Sequence, residues 1–358
     1  MQTEHSLGSA LSSDLNVEST FQIERKPETR RVPSLLSVRS LSIGATSKQG
    51  EPVKILDEVS LEIPNGRAFG IIGESGCGKT TLARSLLRLL PEGLHISQGA
   101  IDFQGADILK MSSKTLNQTR GAEISLIHQE PAGALHPTMR IGDQVAEILK
   151  AHKRWNRKKC AIEAQAVLSE VFADDTERIF KSYPHELSGG QRQRVLIAQA
   201  ISCKPSLIIA DEPTASLDLV TQAEIISLLK NLKQKLGMTL ILITHNPAIL
   251  PGLVDSVAVM YGGQIVEEGP LEKIFSLPMH PYTQDLLRLR PSRQGTHRSD
   301  EKHELPLIDG PSFDNSSKHM RCLYEPRCTE RITKCVSFVP QEKSIEGSRR
   351  VRCFLHEN

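Results

Sequence analysis

The sequence has 358 residues, enough for about two domains, and an ordinary globular composition with 39% hydrophobic, 24% charged and 4% aromatic residues. The net charge of +2 leaves no strongly basic surface, which argues against nucleic acid as a partner. No apolar run approaches the roughly 20 residues of a membrane-spanning helix, and residues 1–20 lack the pattern of a secretory signal. We therefore expect a cytosolic protein that reaches a membrane only through a partner.

The predicted elements divide the chain into a tail, a two-part core, an inserted helical segment and an extension. Residues 1–33 are polar and lack sustained periodicity, so we predict a mostly disordered tail. Across 34–129 and 187–275, short β-type runs alternate with helical stretches, which predicts an α/β core. Residues 130–186 contain few β-branched runs and predict a helical subdomain. The C-terminal extension, 276–358, contains the linker-like stretch "SRQGTHRSDEKHE" and a group of cysteines.

A glycine-rich loop follows the first strongly apolar strand of the core. "AFGIIG" (68–73) predicts a buried strand and "TTLARSLLRLL" (80–90) a helix, and "GESGCGKTT" between them matches the phosphate-loop pattern G-x-x-x-x-G-K-[ST]. In such a loop, backbone N–H groups and the helix N-terminus bind phosphate oxygens. Lys79 would reach the β- and γ-phosphates, and the Thr80 hydroxyl would bind Mg²⁺. The predicted nucleotide-binding residues are Gly73, Glu74, Ser75, Gly76, Cys77, Gly78, Lys79, Thr80 and Thr81.

Two adjacent carboxylates follow the strand predicted for "SLIIAD" (206–211). Asp211 ends this strand, where it is placed to hold Mg²⁺ through water, and Glu212 is the candidate general base for the attacking water. Carboxylates also occur at the solvated ends of ordinary strands, but the phosphate loop earlier in the chain favours the catalytic interpretation. The strands predicted from "TLILIT" (239–244) and "SVAVM" (256–260) continue the α/β pattern.

A second helix start that can bind an anion lies in "LSGGQRQR" (187–194), where Ser188 and Gly189 open the predicted helix. One nucleotide does not need two such cradles from the same chain, whereas a nucleotide on a second chain does. With this segment the sequence resembles the ATP-binding subunits of ABC transporters, whose family signature reads LSGGQ. Other motifs of that family are matched by Gln129 in "LIHQEP", by Ser216-Leu217-Asp218, and by His245 in "ITHN".

The resemblance implies an ABC-type P-loop NTPase core and a head-to-tail sandwich of two nucleotide-binding domains. ATP and Mg²⁺ bound by Lys79, Thr80 and Asp211 of one chain would be closed over by the signature of its partner. The residues of this chain that would cap the partner's ATP are Ser188, Gly189, Gly190 and Gln191. His245 would contact the γ-phosphate. Gln129 would touch Mg²⁺ and join the core to the helical subdomain, which would face membrane subunits.

The sequence departs from the family in the region that would hold the base. Family members usually stack adenine on an aromatic residue upstream of the phosphate loop, but residues 34–68 contain no Phe, Tyr or Trp. Because stacking of a base on an aromatic ring is worth ~1–3 kcal/mol, we expect modest affinity or weak discrimination between bases.

The C-terminal part of the sequence indicates which subfamily of ABC ATPases the chain resembles. "HPYTQDLL" (280–287), "PHELSGGQRQRV" and "DEPTASLD" resemble the dipeptide/oligopeptide permease ATPases. That subfamily implies an ATP-hydrolysing subunit on the cytoplasmic face of the membrane, docked on two transmembrane permease subunits. A second, non-identical ATPase and an extracytoplasmic substrate-binding protein would complete the importer. An importer of nickel or another small solute is an alternative, and so is a soluble ABC ATPase that responds to redox through its tail.

Four of the seven cysteines lie in the extension with the spacing C-x5-C-x6-C-x17-C: Cys322, Cys328, Cys335 and Cys353. In a reducing compartment such a group more often binds metal than forms disulfides. Zinc sites usually show paired C-x₂₋₄-C knuckles, which are absent here, whereas four thiolates are what a [4Fe–4S] cluster needs. The resemblance agrees, since some peptide-permease ATPases carry a cluster there; zinc and free thiols are the alternatives. Cys77, in the phosphate loop, is either a small packing side chain or a redox-sensing thiol.

Overall fold

The computed structural model describes residues 34–46, 50, 52–288, 321–345 and 348–357. The tail predicted to be disordered and the linker-like stretch of the extension lie outside these residues. None of the helices in the described part of the chain combines the length and the apolar character needed to cross a bilayer.

The core of the described structure is an eight-stranded sheet. Its strands, in spatial order, are β11 (Lys343–Ile345), β12 (Arg349–Val351), β10 (Gln264–Pro270), β9 (Ser256–Tyr261), β3 (Ala68–Ile72), β8 (Thr239–Thr244), β7 (Leu207–Asp211) and β6 (Ile124–Ile127). The five strands from β9 to β6 run parallel, and the other three are antiparallel to their neighbours. Every residue of β3, β7 and β8 is buried, as expected for parallel strands that are covered on both faces.

A second, antiparallel sheet was not distinguished from the first by the sequence patterns. It consists, in spatial order, of β2 (Pro52–Pro64), β1 (Ser34–Thr46), β4 (Leu94–Phe103) and β5 (Ala106–Asp107). Its apolar side chains share one core with Phe69 and Ile71, whereas Ala68 and Ile72 of the same strand enter the other core. Since successive side chains of a strand point to opposite faces, β3 is the partition between the two cores.

The helices of the described residues are α1 (Lys79–Ser85), α2 (Ser113–Thr119), α3 (Pro131–Ala134), α4 (Ile141–Lys153), α5 (Arg157–Ser169), α6 (Thr176–Lys181), α7 (Gly189–Ile201), α8 (Leu219–Leu236), α9 (Leu271–Ser276), α10 (Pro281–Arg288) and α11 (Thr333–Ser337). The stretch predicted to be a helical subdomain contains α3 to α6. With these elements around a largely parallel sheet, the predicted fold class is confirmed.

The helix predicted for 80–90 is shorter than expected. It ends at Ser85, and Arg88 adopts a left-handed conformation with φ 50°. The side chain of Arg120 donates to the carbonyl oxygens of Leu87 and Arg88, both at 2.8 Å. These bonds satisfy two carbonyl groups in the turn that follows the helix, so Arg120 stabilises the conformation in which the chain leaves α1.

The C-terminal extension is attached to the core through β12, which pairs with β10. Two ion pairs reinforce this contact. Arg349 lies 2.6 Å from Glu267, with 4% and 0% of the two side chains exposed, and Arg350 lies 2.5 Å from Glu268. The extension therefore contributes strands to the central sheet; the domain limits drawn from the sequence stay a prediction.

Candidate nucleotide site

The phosphate-loop sequence lies between β3 and α1, as its pattern requires. Two of its glycines are needed for steric reasons. A Cβ on Gly73 would lie 2.2 Å from the carbonyl oxygen of Met260, and one on Gly78 would lie 2.6 Å from the Leu56 side chain. Gly78 also has φ 103°, which L side chains rarely adopt. The loop is therefore seated against β9 and β2 with no room for a side chain at either point.

Lys79 is 5% exposed and its ammonium group is held by its own loop. Nζ donates to the carbonyl oxygens of Gly73 at 2.8 Å and Glu74 at 2.9 Å. The residue lines a cavity of about 720 Å³. Predicted site residues that share this cavity are Ser75, Gly76, Gly78, Thr80, Thr81, Gln129, Glu212 and His245. Side chains from the loop, β6, β7 and β8 thus converge on one space large enough for a nucleotide.

Oxygen ligands suited to a hard cation lie beside the loop. The Thr80 hydroxyl donates to Asp211 Oδ1 at 3.2 Å, and Asp211 is 5% exposed. Burial raises the pKa of Asp211 above its usual value. Thr80, Gln129 and Asp211 also line an adjoining cavity of about 410 Å³. A hydroxyl, a carboxylate and an amide at this edge fit the oxygen preference of Mg²⁺.

Glu212 and His245 form the candidate catalytic pair. The Glu212 carboxylate lies 2.9 Å from Nδ1 of His245 and accepts a bond of 3.4 Å from Gln129 Nε2. Its side chain is 11% exposed, and its backbone has φ 48°. This left-handed conformation, costly for a residue with a side chain, turns the carboxylate from the end of β7 toward the cavity.

The signature segment lies apart from this cavity. Ser188 caps α7: its Oγ accepts from the Gln191 backbone at 3.3 Å, and the Gln191 side chain accepts from the Ser188 N–H at 3.1 Å. A Cβ on Gly190 would lie 2.5 Å from Thr221 Cγ2, so α7 and α8 meet closely here. In the described structure, 188–191 do not line the cavity that contains Lys79.

No aromatic residue replaces the missing base-stacking ring among the described residues around the cavity. Ile55 is the lining residue contributed by β2, and the imidazole of His245 is the one ring in the lining. The aliphatic surface expected from the sequence is therefore what the described residues offer to a base.

Two residues of the phosphate loop turn their side chains away from the cavity. Cys77 is 5% exposed, and burial raises the pKa of its thiol. A redox-sensing thiol needs the opposite shift, so packing is the better interpretation. Glu74 faces the extension: Arg327 binds its carboxylate through two bonds of 2.9 Å, and its backbone N–H donates to Tyr282 Oη at 2.9 Å. The sequence carries no signal for this contact, because Arg327 follows Glu74 by 253 positions.

The four cysteines of the extension come together in the fold. Cys322, Cys335 and Cys353 are buried, Cys328 is half-buried, and the N–H of Cys322 donates to the carbonyl of Cys335 at 3.0 Å. Burial, with a smaller contribution from the charges of the other three thiols, raises the pKa of Cys322 to about 12. Even so, no group of three or more His, Cys, Asp or Glu side chains within the described ranges is arranged to hold a metal ion.

Comparison with known proteins places these features in a family. The sequence profile described as "ABC transporter" matches residues 56–215, and the profile "Oligopeptide/dipeptide transporter, C-terminal region" matches 266–335. The dipeptide transport ATP-binding protein DppD of Bacillus subtilis is 39% identical over 325 residues, which cover 90% of this chain and 95% of that protein. The chain belongs to the ATP-binding subunits of ABC transporters.

Other members of the ABC family agree in sequence and in fold. The oligopeptide transport ATP-binding protein AppD of Bacillus subtilis is 38% identical over 90% of this chain and 97% of its own length. The ATP-binding cassette MJ0796, described as a dimer bound to ADP and Pi, aligns with a TM-score of 0.59 and 26% identity, covering 66% of this chain and 98% of that one. CbiO1 from Clostridium perfringens aligns with a TM-score of 0.58 and 27% identity, covering 68% of this chain and 91% of that one. Like the family, this ABC ATPase hydrolyses ATP.

Proposed function

We propose that the chain is the ATP-hydrolysing subunit of an ABC importer of dipeptides or oligopeptides. The observation that carries the proposal is the match of residues 266–335 to the C-terminal region of oligopeptide/dipeptide transporters. Relatives named for dipeptide or oligopeptide transport align over 89–90% of the chain and support it. The matched region includes α10 and most of β10, which pack on the nucleotide core, so the resemblance extends to residues that touch the site.

The phosphate loop binds the nucleotide in this proposal. Lys79 exchanges its bonds to Gly73 and Glu74 for bonds to the β- and γ-phosphates, since an ammonium group is a better partner for phosphate than for a neutral carbonyl. When Mg²⁺ is bound, Thr80, Asp211 and Gln129 are the residues that hold it, and it neutralises phosphate charge.

Glu212 accepts the proton of the attacking water, and His245 donates a hydrogen bond to the γ-phosphate. Their contact of 2.9 Å keeps the imidazole at the mouth of the cavity, where its side chain is 55% exposed. Gln129 donates to Glu212 and lies between β6 and the helical segment. A movement of that segment would therefore shift Gln129 relative to the reacting centre.

The ATP site is completed by a second ATPase subunit, which we propose is non-identical. Ser188, Gly189, Gly190 and Gln191 present exposed or half-exposed positions at the start of α7. The N-terminus of this thirteen-residue helix provides positive potential for the γ-phosphate on the partner. Since this segment does not line the chain's own cavity, a head-to-tail pairing uses both anion-binding elements.

The membrane subunits dock on the helical segment. A groove of about 400 Å³ runs between the core and α4, and its lining includes Leu87, Leu89, Leu126 and Ile148. Leu89 is 41% exposed. We assign this apolar groove to a cytoplasmic helix of a permease subunit, which places the chain peripherally on the cytoplasmic face. Two such permease subunits, supplied by an extracytoplasmic binding protein, complete the importer.

The cysteine group is assigned to a [4Fe–4S] cluster with Cys322, Cys328, Cys335 and Cys353 as ligands. The support for this assignment is that the four thiols are buried or half-buried and lie near one another, although in the described residues they are not arranged to hold a metal ion. Side chains around a cubane stand farther apart than around one zinc ion, where sulfur lies ~2.3 Å from the metal. The cluster would have a structural or regulatory role in the extension and would not be required for hydrolysis itself.

Two experiments test these assignments. Co-purification of the tagged chain from its native membrane should recover two permease subunits and a second ATPase, and deleting the gene should abolish uptake of labelled dipeptides and leave nickel uptake unchanged. Loss of nickel uptake alone, or recovery of the chain only as a soluble particle, contradicts the proposal.

Anaerobic purification should give a brown protein with about four irons, and Cys→Ser at each ligand should remove the colour and the iron. One zinc, or no metal, contradicts the cluster.

A further inference from the structure

Each polar group of Glu74, the second residue of the phosphate loop, makes a hydrogen bond to another residue. Its carbonyl oxygen accepts from Lys79 Nζ at 2.9 Å, and its N–H donates to Tyr282 Oη at 2.9 Å. Its carboxylate takes both bonds from the guanidinium of Arg327. Two of these three contacts come from the C-terminal part of the chain, so that part controls the conformation of the loop.

Arg327 is part of a compact block that includes the cysteines. It directly precedes Cys328, and its side chain is 5% exposed. The guanidinium carbon lies 5.9 Å from the ring centres of both Tyr261 and Tyr324. The phenol of Tyr324, two residues after Cys322, donates to Asp285 at 2.5 Å.

Three tyrosines connect this block to the core. Tyr261 ends β9, Tyr282 lies on α10 and Tyr324 belongs to the cysteine segment. Their ring centres are 4.6 to 5.3 Å apart, and each is at most 2% exposed. Such a packed aromatic cluster leaves little freedom for the segment to shift relative to the loop.

We infer that Arg327 is a positioning residue: by neutralising Glu74, it lets the docked cysteine segment raise the affinity of the phosphate loop for nucleotide. The inference rests on the proposed nucleotide site. Without Arg327, a carboxylate that is 28% exposed would stand unpaired within the phosphate loop, and its negative charge would repel phosphate. The state of the cysteines would thereby reach the nucleotide, because Cys322, Cys328 and Cys335 lie in this segment, residues 321–337.

The first test measures the Kd for ADP, which is not turned over, by calorimetry of the full chain. Arg327→Met should raise the Kd by about tenfold, in the usual range for coupled sites, with unchanged stoichiometry. Arg327→Lys should recover part of the loss, and adding Glu74→Gln to Arg327→Met should recover most of it, because the repelling charge is gone. Arg331→Met, which removes an arginine that is 60% exposed in the same segment, is the control and should bind as wild type.

The second test uses the wild-type chain, so it does not depend on any variant folding. Coupling is reciprocal, so saturating ADP should slow hydrogen exchange of 321–337 by about the same factor as the change in Kd. Adenosine, which lacks phosphate, should not. Equal ADP affinity in Arg327→Met and wild type, or exchange that ADP leaves unchanged, overturns the inference. Failure of the wild type to bind ADP would instead overturn the nucleotide site itself, so the experiment distinguishes failure of the inference from failure of the proposed site.

Discussion

Arg349 and Glu267 form an ion pair that is almost completely withdrawn from water and joins the extension to the central sheet. Glu267 also accepts from the backbone N–H groups of Met279 and His280, at 2.9 and 3.0 Å. Arg349 makes a further bond to the carbonyl of Leu277. The pair therefore holds β12, β10 and the start of α10 together.

Removal of this arginine should be costly. Arg349→Met leaves the buried Glu267 carboxylate without its cation, and we expect the free energy of unfolding to fall by about 3–5 kcal/mol. Urea unfolding followed by circular dichroism measures the change. Arg178→Met is the matched control, since Arg178 and Asp175 form an ion pair of 2.7 Å with half-exposed side chains. A loss no greater than that of the control would show that β12 is held by other contacts.

Glu212→Gln should separate nucleotide binding from hydrolysis. The amide keeps the size of the side chain and cannot accept the water proton, so phosphate release by the assembled transporter should fall by ~10²–10⁴-fold. The Kd for ATP should change little, because Lys79 and the loop are untouched. Retention of hydrolysis within about tenfold would remove Glu212 from the role of general base.

Discrimination between purine bases should be weak. The described lining offers Ile55 and no ring from β1 or β2 to stack on the base, which forgoes the ~1–3 kcal/mol of an aromatic platform. We expect the Kd values for ATP and GTP to lie within about tenfold of each other, as measured by calorimetry. Stacking itself accepts either purine, so a preference for ATP above about a hundredfold would mean that a group outside the described lining reads the edge of the base.

Glu268 should make stability depend on pH. Burial raises its pKa from 4.5 to about 7 despite the nearby Arg350. In the folded state the group therefore binds its proton more tightly than in the unfolded state. Its contribution to stability is fully present below pH 4.5 and is lost as pH rises through 7, by up to about 3 kcal/mol.

The comparison of wild type with Glu268→Gln isolates this effect, because all other titrating groups are common to both. Unfolding in urea should show the variant gaining stability relative to wild type between pH 4.5 and 7. A difference that does not change over this interval, or that changes in the opposite direction, would mean that Arg350 keeps the carboxylate ionised throughout.

Features governed by local chemistry could be predicted from the sequence. The phosphate loop, the strand before it and the buried strands that end at Asp211 and Thr244 follow from glycine placement and continuous apolar runs. The family signature at the start of α7 has the same local character. These elements could be predicted without knowing which distant residues they contact.

Features that depend on distant partners could not be predicted. The turn after α1 is stabilised by Arg120, which belongs to another part of the chain. The three-residue strand β12 is too short and too charged to show a strand pattern, and its pairing with β10 depends on ion pairs that only the fold creates. Nothing in the sequence links Arg327 with Glu74. Side-chain pairing over long separations carries no periodic signal.

The position of β12 in the sheet has a consequence during synthesis. Strand β10 is exposed as a sheet edge until residues some 80 positions later have left the ribosome, and Glu267 is without its cation for the same interval. An unpaired edge strand is a template for pairing with other chains. A chain interrupted before residue 349 would therefore carry both an aggregation-prone edge and an uncompensated carboxylate.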